Sequence, residues 1–121
     1  MGAIARMKSK SGGSQAPVIL SPVTAVDLSL LDRSDVFTLL NTGAVTIPTI
    51  GATMPVHPGR QIVLMNSASS SNDFTLTNNA DTTTKGEMDL GGGDVTLGTE
   101  DVLTLTQQAN GTWWETSLAN N

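Results

Sequence analysis

From Pro17 onward the chain alternates short apolar runs with turn residues. Val18-Ile19-Leu20 makes a brief extended piece before Pro22. Val26, Leu28 and Leu30 then alternate with Asp27, Ser29 and Leu31, a period of two that predicts a strand. A helix over 24–40 competes, because Val26, Leu30, Leu31 and Phe37 partly follow a helical stripe. The β-branched content and the Asp32-Arg33-Ser34-Asp35 interruption decide for strand. Val36-Phe37-Thr38-Leu39-Leu40 and Val45-Thr46-Ile47 predict two more strands, and Pro48 confines the second to an edge or a strand end.

The second half carries stronger signals. Residues 60–66, led in by Gly59, form one predicted strand and Phe74-Thr75-Leu76-Thr77 another. Residues 80–94 read as loop, with Gly86 and the run Gly91-Gly92-Gly93. Val95-Thr96-Leu97, residues 101–106 and residues 112–117 complete the set. Asn110-Gly111 predicts a type I′ hairpin turn between the last two. Short strands spaced by roughly 8–12 residues, with turns between them, indicate an all-β sandwich or barrel.

In the last strand, alternation fixes which side chains share a face. Trp114 falls with Thr112, Thr116 and Leu118, while Trp113 falls with Glu115 and Ser117. Leu118 draws the first set inward. The reading therefore puts Trp114 in the core and Trp113 on an outer surface, either as a candidate subunit-interface residue or covered by a loop of its own domain.

Composition sharpens this picture. Among 121 residues there are 17 Thr, 11 Ser and 8 Asn, only 14% are charged, and the formal net charge is -5. No cysteine is present, which removes disulfide scaffolds, thiolate metal sites and cysteine nucleophiles. No apolar run approaches the ~18 residues that span a bilayer, so no membrane partner is expected. The opening MGAIARMKSKSGG lacks the ~7–15-residue apolar stretch of a signal peptide. Global acidity argues against a nucleic-acid partner.

The charge is uneven. Residues 1–16 hold Arg6, Lys8 and Lys10 with no acid, whereas residues 17–121 hold three bases and eleven acids. Two parts follow: a flexible basic N-terminal arm over 1–16 and a single β-sandwich domain over 17–121. Paired glycines and small polar residues cannot order the arm alone. An arm that docks on a partner would use Arg6, Lys8 and Lys10 for charged contacts and Ile4 and Met7 as apolar anchors.

Candidate chemistry is thin. His57, the only histidine, sits between Pro55 and Pro58 in a loop, with no nucleophile-elbow motif elsewhere in the chain. Asp89-Leu90-Gly91-Gly92-Gly93-Asp94 matches no calcium-loop spacing, and a tight turn explains its glycines. Glu100-Asp101 cannot converge on one bond, because adjacent strand residues face opposite ways. Asn110-Gly111-Thr112 fits a glycosylation sequon but serves better as a turn. The expectation is no catalysis, no metal and no cofactor. Four aromatic rings are few for a core, and a chain this size buries only about two-thirds of its unfolded surface. An oligomer is expected to supply the remaining burial.

The segments Gly59 to Asn66, Phe74 to Thr77, Asp101 to Leu105 and Asn110 to Trp114 together resemble a module of tailed-phage virions. It occurs in capsid cement (decoration) proteins and in fibre or spike domains. Its pattern is a Gly-led strand ending in Asn, an aromatic-led strand, a strand of alternating apolar residues, and an Asn-Gly hairpin into Trp. The resemblance covers about residues 36–118, and the doubled Trp departs from its usual single Trp. It implies a jelly-roll-like antiparallel β-sandwich with an extended N-terminal arm, assembled as a homotrimer. The small size favours a cement protein on the outer surface of an icosahedral head, partnered by the major capsid protein and assembled in the host cytoplasm. The alternative it leaves is a small receptor- or glycan-binding fibre domain.

Overall fold

The computed structural model describes residues 18–20, 25–26, 35–41, 43–79 and 81–120. The arm residues Ile4, Arg6, Met7, Lys8 and Lys10 lie outside the described residues, as does most of the run predicted as a strand at 26–30. The described chain is all β. Its strands are β1 (Val18–Leu20), β2 (Ala25–Val26), β3 (Val36–Asn41), β4 (Val45–Ile47), β5 (Thr49–Ile50) and β6 (Gln61–Asn66). They continue with β7 (Phe74–Leu76), β8 (Met88–Asp89), β9 (Val95–Leu97), β10 (Val102–Gln107) and β11 (Trp113–Ala119).

A six-stranded sheet runs β1-β3-β6-β10-β11-β8, a three-stranded sheet runs β4-β7-β9, and β2 pairs with β5. The expected antiparallel sandwich needs correction, because both larger sheets are mixed. β6–β10, β10–β11 and β7–β9 are antiparallel, whereas β1–β3, β3–β6, β11–β8, β4–β7 and β2–β5 are parallel. The reason lies in the connections. After β3 the chain leaves for β4 and β5 and returns as β6, so β6 lies beside β3 in the same direction. A hairpin makes successive strands antiparallel neighbours; among the described strands only β10 and β11 are joined that way.

Alternating burial follows directly from the period-two pattern. β3, β6 and β10 each turn Phe37 and Leu39, Ile62 and Leu64, or Leu103 and Leu105 inward. The small sheet answers with Val45, Ile47, Phe74, Leu76, Val95 and Leu97, and these side chains form one core. Its outward residues are Thr46, Thr75 and Thr96, paired side by side across the three strands. Such β-branched cross-strand neighbours suit a pleated, half-solvated surface.

Each long central strand ends inward on an amide rather than an alkyl group, and these amides tie down the loops. Asn66 Nδ2 donates to Leu97 O (2.9 Å) and Asn72 O (3.1 Å). Asn41 exchanges bonds with the backbone of Asn72. Gln107 Oε1 accepts from the His57 amide (2.9 Å), and its Nε2 donates to Gly111 O (3.3 Å). Pairing offsets the cost of burying an amide; Asn66 is paired through its Nδ2 alone, and its Oδ1 is buried without a hydrogen-bond partner.

Candidate functional site

The two tryptophans face opposite ways, but in the reverse of the expected sense. Trp113 is 1% exposed and Trp114 is 51% exposed. Trp113, the expected subunit-interface residue, is therefore a core side chain. Its Nε1 donates to Ile50 O (2.9 Å), and its amide donates to Glu87 O (2.8 Å). The cause is a bulge. Leu103 pairs with Leu118, but Leu105 pairs with Glu115 and Gln107 with Trp113, so β11 carries one extra residue opposite the Thr104/Leu105 step. An extra residue inverts the parity on one side of the bulge. Leu118 and Trp113 thus share the inner face despite an odd spacing, and unbroken alternation mispredicts the ring.

The turn leading into β11 also differs from the type I′ expectation. Gly111 N donates to Gln108 O (2.9 Å) and Gln108 N to Thr112 O (2.8 Å). Among the described residues, positive φ outside glycine occurs only at Glu100, while Gly111 has φ 87. A type I′ turn needs positive φ at both central residues. The observed form is a three-residue loop in which the left-handed residue follows the turn. Asn110 Oδ1 accepts from the Thr112 amide (3.1 Å) and the Thr112 hydroxyl (2.7 Å), which fixes the loop wall.

Trp114 stands on the outer side of the six-stranded sheet, opposite Thr106 on β10 and Asp89 on β8. An open groove of about 450 Å³ adjoins it on one side, lined by Thr82, Gln108, Asn110, Thr112 and Trp114 among others. A smaller one of about 270 Å³ is lined by Asp89, Gly91, Trp114 and Glu115. Trp114 belongs to both.

A clamp at Glu87 holds the loop that brings Thr82 to the larger groove. Its Oε1 accepts from the amides of Thr83 (3.1 Å) and Thr84 (2.9 Å), and its Oε2 from Asn79 Nδ2 (2.6 Å). The Thr84 and Thr83 amides, with Asn79, hold its carboxyl below the usual glutamate range against the opposing effect of desolvation. β8, read from the sequence as loop, follows at once and supplies Asp89.

The other sequence candidates are not brought to this place as reactive groups. His57 is exposed, and its recorded bonds come from its backbone. In the glycine-rich loop, Asp89 Oδ1 accepts the Gly91 amide (3.1 Å) and Asp94 Oδ1 the Asn78 amide (2.8 Å). Those carboxylates stitch the loop. Among the described residues no group of three or more His, Cys, Asp or Glu is placed to hold a metal ion. Asp101 turns inward, and its Oδ2 accepts the Gly98 amide (2.8 Å). What the arrangement offers is a surface ring between two open grooves whose walls are largely apolar and carry a few polar groups. The chain matches no protein-family model, no curated protein and no solved structure.

Proposed function

We propose that this chain is a structural virion protein, a cement (decoration) protein that binds the outside of an icosahedral head and clamps neighbouring major-capsid subunits. The observation that carries the proposal is the outer face of the six-stranded sheet. Its four central strands place Val36, Thr38, Leu40, Gln61, Val63, Met65, Val102, Thr104, Thr106, Trp114, Ser117 and Ala119 outward, and none is charged. The registers bring these into continuous rows, Val36–Val63–Thr104–Ser117 and Thr38–Met65–Val102–Ala119. A solvated sheet face ordinarily carries Lys, Glu or Arg, whereas depletion of charge at the centre of a patch is the mark of a protein–protein surface. In a chain of net charge -5 this face also lets copies meet without placing like charges together.

In this reading the body is a jelly-roll-like sandwich with mixed strand directions. Three copies associate through the uncharged face, and the arm over 1–16 reaches a capsid subunit or a neighbouring trimer. Three weak sites on one trimer act together, so clamping does not require one strong contact. The test is occupancy of the purified protein on DNA-filled heads stripped of it, with the full chain and with a variant lacking residues 2–13. Saturable decoration by the full chain, with weaker and largely salt-insensitive occupancy loss for the truncated one, is expected. Failure of the full chain to bind heads overturns the cement role; equal occupancy of the two removes the arm from it.

A further inference from the structure

The geometry points to a carbohydrate-binding site centred on Trp114, which we propose takes a neutral pyranose sugar. This goes beyond the cement reading, for Trp114 lies beside Thr106 and Asp89 at one end of the sheet face, outside the rows Val36–Val63–Thr104–Ser117 and Thr38–Met65–Val102–Ala119 that would join copies. Three observations carry it. Trp114 is the one large apolar side chain exposed among the described residues, at 51%, while the adjacent Trp113 is buried and hydrogen-bonded to Ile50 O. The exposed ring is therefore held on a fixed strand. A flat, rigid aromatic surface is a platform for the C–H face of a sugar ring, and it costs little entropy to present.

Second, the grooves beside it combine largely apolar walls with a few polar groups. The larger, at about 450 Å³, offers Thr82, Gln108 and Asn110, while Thr112 is buried with its hydroxyl on Asn110 Oδ1. That volume lies within the range of small-molecule sites, which combine an aromatic wall with a few fixed polar groups. Asn110 already gives its Oδ1 to Thr112, which leaves its Nδ2 as the donor on that side. Glu87 fixes the loop of Thr82 through two amides and Asn79. The polar groups are thus positioned before any ligand arrives.

Third, charge selects among sugars. The smaller groove carries Asp89 and Glu115, and no Lys, Arg or His lines either groove among the described residues. Sialylated, sulfated or uronic sugars would meet carboxylates with no cation to offset them. A neutral sugar meets amides, hydroxyls and a ring.

The test uses the full-length protein and isothermal titration calorimetry, a readout independent of both tryptophans. Neutral tetrasaccharides of glucose and galactose, α- and β-linked, are titrated alongside tetragalacturonate as the anionic control. Saturable heat in the millimolar range is expected for at least one neutral probe and none for the anion. Trp114→Ala should abolish it, Gln108→Ala should weaken it about tenfold, and Trp114→Phe should retain part, since a ring remains. Sedimentation of Trp114→Ala is run in parallel to separate this site from self-association. Absence of saturable binding to every neutral probe, undiminished binding by Trp114→Ala, or tighter binding of the anion overturns the proposal. A change of association state in Trp114→Ala also overturns it, because the ring would then be a contact between copies.

Discussion

At the scale of single residues, the adjacent tryptophans make opposite demands. Trp113→Ala should cost about 3–5 kcal/mol, the usual range for emptying a large buried aromatic site. Trp113→Phe should cost less but still leave the Ile50 carbonyl without its donor, a further loss of about 1–3 kcal/mol. Trp114→Ala should fall within about 0.5 kcal/mol of the parent, as exposed substitutions do. Urea unfolding of the three variants checks the ordering, and a reversed order would mean that the bulge in β11 is misplaced. Gly111 is the second sensitive position. Its φ is 87, and a Cβ there would lie 2.6 Å from Lys85 Cγ and 2.9 Å from Val56 Cγ2. Gly111→Ala should therefore destabilise by more than the roughly 1 kcal/mol that the backbone alone imposes. The sequence made the presence of one inward and one outward Trp legible, since alternation guarantees it. It did not reveal which was which, because the extra residue at the bulge leaves no compositional mark: Thr116 is an ordinary strand residue, and its hydroxyl simply donates to Thr104 O (3.0 Å).

Elements differ in how plainly they announce themselves. The strands β3, β4, β6, β7, β9, β10 and β11 were readable as short runs rich in β-branched, aromatic and other apolar residues bounded by turn residues, with strict apolar–polar alternation in β4, β7, β9 and over residues 103–106 of β10. β5 and β8 have two residues each, too few for any period, and exist because neighbours pair with them. Parallel pairing was equally hidden, since it depends on which sheet the intervening strands join. Thr116 gives a direct test of the bulge. Deleting it restores strict alternation and drives either Trp113 or Leu118 out of the inner face, so thermal unfolding should show a loss of about 3 kcal/mol or more. The Glu87 clamp adds a pH signature. Its carboxyl titrates below the ordinary glutamate range in the folded chain, so its contribution is present above the unfolded value and lost as pH falls through the folded one. Protection of the Thr83 and Thr84 amides from exchange, relative to their intrinsic rates, should fall across that acid window in the parent. In Glu87→Gln it should already be lower at neutral pH and lack that step.

Over the whole molecule, the inner and outer sides of one sheet divide the work. The inner side, with Phe37 and Trp113, closes a core against Phe74 of the three-stranded sheet, so three of the four aromatic rings lie there. The outer side carries no charge on its four central strands in a chain of net charge -5. Low charge was visible in the composition, but its concentration on one face required the registers. In the function proposed above, this face joins copies of the chain. Sedimentation equilibrium of the full-length protein, beside Val63→Lys and Val102→Glu, tests that association. The parent should sediment at three times its 12.6 kDa mass, with little dependence on salt because no ion pairs hold the face. Each variant should shift toward monomer while keeping its β-sheet circular dichroism. A parent that stays monomeric at every concentration, or variants that associate as the parent does, would contradict the claim.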